Sequence, residues 1–327
     1  MHFDPVASSS LKSEIDFTAN EHIHPFAMAC TSLSGEVCRL ISSSLSEATR
    51  RAYSADLADF LEWGGTIPST DGVIAEYIAD QAKIAKSATI SRRLAALSKA
   101  HAALGGQNPV RSELVKATMR GIRRTLGVAQ REAKPLLKED LFEVLDGTGS
   151  GLKDVRDRAL LLVGFAGGFR RSELVGLNFE DVEHVRHGVV VKLHKTKTDQ
   201  ESRGREVGIP FGRGRWCPVR ALGEWVSVSG VTQGAIFRSL NKHDQIRDRM
   251  SGEAVSLVVK KRTGEIGKDC SLFSGHSLRA GFVTSAAIAG ASSHAIRLQT
   301  GHASDAMLSR YIRKADLFRN NAAEALL

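Results

Sequence analysis

From Ser46 to Leu126, apolar residues recur three and four positions apart, and that spacing predicts helices and no strands across the first third of the chain. Tyr53, Leu57, Phe60 and Leu61 share one face. In "STDGVIAEYIADQA", Ser69, Thr70 or Asp71 is placed to cap a helix that buries Val73, Ile74, Tyr77 and Ile78. "SATISRRLAALSKAHAALGG" repeats the pattern with Ile90, Leu94, Leu97 and Leu104, and Gly105 and Gly106 close it. Beyond Pro109 the same face carries Leu114, Val115, Met119, Ile122 and Leu126. The expectation is a bundle of four or five helices. Residues 1–40 show no sustained period and read as a tail, partly flexible, or a short docking helix. His22 and His24 in that tail have no carboxylate or cysteine spaced to complete a metal site.

The polar faces of the last two of these helices are one-sided in charge. Lys86, Arg92, Arg93, Lys99, Arg111, Lys116, Arg120, Arg123 and Arg124 are opposed between 86 and 126 by the single acid Glu113. A face that is merely solvated mixes its signs. This one suits a helix laid along phosphates, so these residues are the expected double-stranded DNA contacts. The formal net charge of +9 points the same way.

A chain of 327 residues is long for one core, so two domains are expected. The boundaries read as a helical domain over 41–127, a linker over 128–137 ("VAQREAKPLL") and a second domain over 138–327. In the second domain "VRDRALLLVGFAGG" is a buried helix. "GVVVKLHKTKTD" alternates Val189, Val191 and Leu193 before a basic, turn-prone tip, and "REVGIP" returns as the second strand of a hairpin. Pro218 suits the first turn of another helix, and everything after Ser277 is helical in period. The fold class expected is therefore mainly α with a small antiparallel β-sheet. Four cysteines without CxxC spacing fit a reducing cytosol. Neither a signal peptide nor a bilayer-length apolar run is legible, so a cytoplasmic protein without membrane partners is expected.

Phosphate-binding residue types recur in four short stretches of this second domain. Arg170 opens "RRSELVGL" after a greasy run, Lys195 and Lys197 lie in "HKTKT", and His276 and Arg279 form "HSLR". His302 follows in "TGH", nine residues before Tyr311. Each alone has an ordinary structural reading: a partner for Glu173, a helix cap, a core aromatic. Their order makes a set of Arg, Lys, His-x-x-Arg, His and Tyr.

That set resembles the tyrosine recombinases of the phage integrase family, in particular a Cre-like branch. "AGGFRRSEL" resembles the family's T-G-L-R-x-S-E-L box, "HSLRAGFVTSAAIAG" its H-x-L-R box, and "TGHASDAMLSRYIR" its L-G-H box with the tyrosine downstream. Gly167-Gly168-Phe169 replaces Thr-Gly-Leu, Arg171 an aliphatic residue, and Thr300 the leucine. The resemblance implies a helical DNA-binding bundle joined to an α+β catalytic domain. It makes Tyr311 the nucleophile, Arg170 and Arg279 the phosphate clamp, and His276 the candidate base. His302 would donate to a phosphate oxygen, Lys197 (or Lys195) would protonate the leaving oxygen, and Glu173 would orient its neighbours. It further implies strand exchange through a 3′-phosphotyrosyl bond, four identical protomers on two DNA sites, and a C-terminal helix (Leu317, Phe318, Ala322, Leu326, Leu327) docking into a neighbour. A nucleoid-associated protein of a prokaryote or phage follows. No metal or other cofactor is expected, because no Asp/Glu cluster or Walker-type loop is present. A type IB topoisomerase, a telomere resolvase, or a DNA-binding regulator with a silent site are the alternatives.

Overall fold

The computed structural model describes residues 34–128, 133–194 and 204–315, apart from the side chains of 310 and 312–315. The chain divides into two compact units, Met1–Arg131 and Glu132–Leu327.

The first unit is all helix among its described residues: α1 (Gly35–Ser43), α2 (Glu47–Glu62), α3 (Asp71–Gln81), α4 (Ser87–Ala103) and α5 (Glu113–Leu126). Side-chain caps set the starts of α2, α3 and α5. Ser46, Thr70 and Ser112 each accept a hydrogen bond from the backbone N–H three residues on. Of the three capping candidates before α3, Thr70 is the one used. Leu57, Phe60, Ile74, Tyr77, Ile78, Ile90, Leu97, Val115 and Met119 form one core. Val73, Leu104, Leu114 and Leu126, expected on buried faces, are exposed instead, because each sits in the first or last turn of its helix or at its end. None of the residues of α1 is buried.

The second unit is mostly helical with small antiparallel sheets. Its elements are α6 (Lys138–Asp146), α7 (Leu152–Ala166), α8 (Arg171–Gly176), β1 (Val182–Val185), β2 (Gly188–Leu193), β3 (Arg205–Pro210) and α9 (Pro218–Ser229). There follow β4 (Arg238–Leu240), β5 (Ile246–Arg249), α10 (Gly252–Glu265), α11 (His276–Ile288), α12 (Ser293–Thr300) and α13 (Asp305–Ala315). The main sheet has the order β1-β2-β3, with Val189 opposite Ile209 and Val191 opposite Val207. Val189, Val191 and Leu193 are buried as their alternation requires. Strands β1, β4 and β5 lack that alternation and were not legible: β5 reads "IRDR", with one apolar residue.

Helix α7 is the centre of the core. Ala159, Leu160, Leu161 and Val163 are all but inaccessible, and α9 and α11 pack against it. Asp157, buried on the same helix, sits between Arg156 and Arg262. The stretch 133–137 is tied to this unit. Leu136 is buried in its core and donates its N–H to the Ser277 carbonyl at 2.9 Å. Among the described residues no helix is long and apolar enough to cross a membrane.

Candidate active site

The end of α7 delivers the first arginine. Gly168 turns the chain with φ +58°, and a Cβ there would lie 2.8 Å from Thr300 and 3.0 Å from Phe282. Phe169 is buried, and Arg170 emerges as the cap residue of α8. Its backbone N–H and its guanidinium both donate to Glu173, at 2.9 and 2.5 Å. Glu173 is buried, so this is a charge pair held largely out of water. Arg171 turns outward onto Glu253 at 3.2 Å. Register thus presents Arg170 to the interior and Arg171 to the surface.

Helix α11 delivers the next two residues. His276 stands in its first turn, and Arg279 three residues on is 2% exposed. One nitrogen of Arg279, Nη1, donates to the carbonyls of Gly168 and Thr300, both at 2.7 Å. The other, Nη2, donates to His302 Nε2 at 3.2 Å. Burial, and after it the positive charge of Arg170, pushes Arg279 down to about 10, which leaves it fully protonated at neutral pH.

Helix α12 ends at Thr300, and the turn at Gly301 brings His302 into the interior. Burial first, then Arg279 and Arg170, pushes His302 down to about 3, so its ring is neutral. His302 Nδ1 lies 2.6 Å from Thr300 Oγ1. Both ring nitrogens are therefore engaged within the protein, and the expected donation to phosphate is not the arrangement of the DNA-free chain.

Helix α13 carries Tyr311, which packs against Val283, Ile296 and Leu308. Its hydroxyl lies 2.8 Å from His276 Nε2. Crowding by protein atoms, then the charges of Arg279 and Arg170, hold the His276 imidazole below its ordinary value. The ring is thus neutral near pH 7, and in the tautomer that leaves Nε2 unprotonated it accepts from the phenol O–H. The Tyr311 ring also stands 6.4 Å from that of His302. Four separated segments therefore bring Arg170, Glu173, His276, Arg279, His302 and Tyr311 together. Lys195 and Lys197 lie outside the described residues, as does the expected C-terminal docking segment.

Residues 135–317 match the model of the phage integrase family. Over 301 residues the chain is 39% identical to an integrase/recombinase XerD homolog from Selenomonas ruminantium, covering 89% of this chain and 88% of that protein. The chain belongs to the phage integrase family.

It is a tyrosine recombinase enzyme. A tyrosine recombinase XerD from Bifidobacterium longum is 27% identical over 283 residues, covering 81% of this chain and 86% of that protein. Among solved structures, the XerH site-specific recombinase bound to palindromic difH substrate has a TM-score of 0.62 at 18% identity, over 89% of this chain and 82% of that one. A lambda integrase dimer (residues 75–356) bound to a COC′ core site has a TM-score of 0.61 at 17% identity, over 84% and 92%. These two likenesses show the fold. The relatives carry Xer names, and none of these likenesses supports the Cre-like branch.

Two departures from the expected residue set stand out in this integrase-family chain. Arg93, expected to contact DNA, has only 15% of its side chain exposed and is bound inside the helical unit. It donates to Asp59 at 2.5 Å, to the Tyr77 hydroxyl at 3.2 Å and to Gln81. The one-sided charge of α4 is partly balanced by Asp56 and Asp59 of α2, which no reading of α4 alone reveals. Arg92 pairs with buried Asp56 but stays exposed, and Arg120 pairs with Glu113 at 2.6 Å. Lys86, Lys99, Lys116, Arg123 and Arg124 are exposed.

The second departure is Arg205, at the start of β3, which the sequence did not single out. It donates to the Gln299 carbonyl at 2.8 Å and reaches Glu173 at 3.5 Å. Burial, opposed by Glu173 and reinforced by Arg170, lowers its pKa. Glu173 is therefore the shared anion of two guanidiniums.

Proposed function

We propose that this recombinase cuts and rejoins double-stranded DNA through a covalent bond between Tyr311 and a 3′ phosphate. The observation that carries the proposal is the 2.8 Å contact of the Tyr311 hydroxyl with His276 Nε2, beside Arg279 and Arg170.

A phosphodiester repels nucleophiles because its non-bridging oxygens are anionic, and attack adds charge. Arg170 and Arg279 supply planar donors that stay protonated throughout, held by packing and not by solvent. A free phenol titrates near 10, so it needs a base. His276 takes the proton as the Tyr311 oxygen attacks phosphorus, and the P–O5′ bond breaks. The departing 5′ oxygen takes a proton from Lys197 or, as its alternative, Lys195. The phosphotyrosyl bond keeps the ester's energy, so a 5′ hydroxyl from a second strand reverses the step without ATP. The arginines supply the cationic charge, so the chemistry needs no metal.

The helical unit binds the duplex through the exposed bases of α4 and α5, and the second unit performs the cleavage. Four protomers join two sites, as the family pattern implies, and the protein works in the cytoplasm on nucleoid DNA. The test is trapping on a pool of nicked duplexes of random sequence, in excess EDTA. The wild-type chain forms covalent adducts and Tyr311→Phe forms none while still binding DNA. Adducts with the Phe variant, or a strict need for Mg²⁺, overturn the proposal.

A further inference from the structure

Position 300 holds threonine where the family pattern expects leucine, and its hydroxyl sits in the middle of a buried chain of contacts. Thr300 Oγ1 lies 2.6 Å from the Ile296 carbonyl and 2.6 Å from His302 Nδ1. His302 Nε2 lies 3.2 Å from Arg279 Nη2. Thr300, Arg279 and His302 are all buried.

The donor inventory allows one direction through this chain. A guanidinium has donors only, so His302 Nε2 carries a lone pair and accepts. The ring is neutral at working pH, so its single N–H sits on Nδ1. That N–H donates to Thr300 Oγ1, and the hydroxyl proton goes to the Ile296 carbonyl one helical turn back. Each donor finds an acceptor, as buried polar groups require. Close packing fixes the rotamer: the Thr300 methyl lies under Gly168, where even a Cβ would approach to 2.8 Å.

We propose that Thr300 is a positioning residue, holding His302 as the Nδ1–H tautomer so that Nε2 accepts from Arg279 and aligns it in the DNA-free enzyme. With leucine at this place Nδ1–H would have no partner, and the opposite tautomer would set Nε2–H against the guanidinium. His302 is thus first an anchor of the clamp. A phosphate oxygen entering the site competes with Nε2 for the same Arg279 N–H. That consequence rests on the proposed phosphotyrosyl chemistry, whereas the tautomer does not.

The test is an imidazole ¹⁵N spectrum of the uniformly labelled full chain at pH 7 without DNA, with the His302 signals assigned by their loss in His302→Asn. Wild type and Thr300→Ser show a pyrrole-type Nδ1 and a pyridine-type Nε2. Thr300→Val loses this pattern, through averaging of the two tautomers or through a shift to Nε2–H. A wild-type spectrum with Nε2 protonated, or Thr300→Val with the wild-type pattern, overturns the proposal. Should the valine variant fail to fold, Thr300→Ala takes its place: loss of the wild-type pattern supports the proposal and its retention overturns it. Failure of the adduct experiment leaves these spectra untouched, so the two readings fail separately.

Discussion

Glu173→Gln removes the one anion that Arg170 and Arg205 share. The carboxylate accepts the Arg170 backbone N–H at 2.9 Å and its guanidinium at 2.5 Å, and it faces Arg205 at 3.5 Å. Glutamine keeps the volume but has one acceptor and one donor at its tip. One of the two bonds to Arg170 then sets donor against donor. Breaking a buried pair by removing one partner costs about 3–5 kcal/mol. Here the carboxylate is 2% exposed, but the guanidiniums are 16% and 19% exposed, so water recovers part of that cost. We expect a loss of about 2–4 kcal/mol. At roughly 2–4 °C per kcal/mol for a unit of this size, the melting transition of the second unit falls by roughly 4–16 °C. Differential scanning calorimetry of the full chain reads this directly. A transition that stays within about 1 °C of wild type would show that Glu173 does not anchor the two arginines, and the clamp argument would fail with it.

Three further outcomes are expected. Gly281→Ala places a Cβ 1.8 Å from the Leu136 carbonyl, so the segment over α11 must shift, at about 1–3 kcal/mol or more, whereas Gly121→Ala on open α5 is neutral or stabilising by up to about 1 kcal/mol; equal melting shifts would contradict this. Arg93→Ala lowers the melting temperature of the helical unit, while Arg124→Ala leaves stability alone and reduces the salt slope of DNA binding by about 0.9 per lost phosphate contact; the reverse pattern would restore Arg93 to the interface. For pH, His276 is a base only when neutral and its pKa is lowered, so adduct formation declines only as pH falls through a value below 6.5; an acid limb centred above 6.5 would deny His276 this role.

The sequence showed most where local pattern and final position agree. The periods of α2 to α5 and the alternation of Val189, Val191 and Leu193 each express one buried face, so a segment suffices to read them. The candidate site residues were legible for a related reason. Each lies in a short box with a fixed local geometry, and only their meeting required the fold. What stayed hidden depends on partners far along the chain. Arg93 reads as a surface base until α2 supplies Asp56 and Asp59, 34 or more residues away. Arg205 reads as one more basic residue near a hairpin until Glu173 and the end of α12 close on it. Leu136, in a stretch without period, is buried because Gly281 lets the chain lie directly on α11. Strands β4 and β5 pair through their backbones with little side-chain patterning to announce them.

The proposed chemistry comes down to which protein atom becomes bonded to DNA. Mass spectrometry of the trapped adduct, after nuclease trimming and proteolysis, reads that atom. The account predicts a nucleotide joined through its 3′ phosphate to the peptide that contains Tyr311. A nucleotide on any other residue, or one joined through a 5′ phosphate, would contradict it.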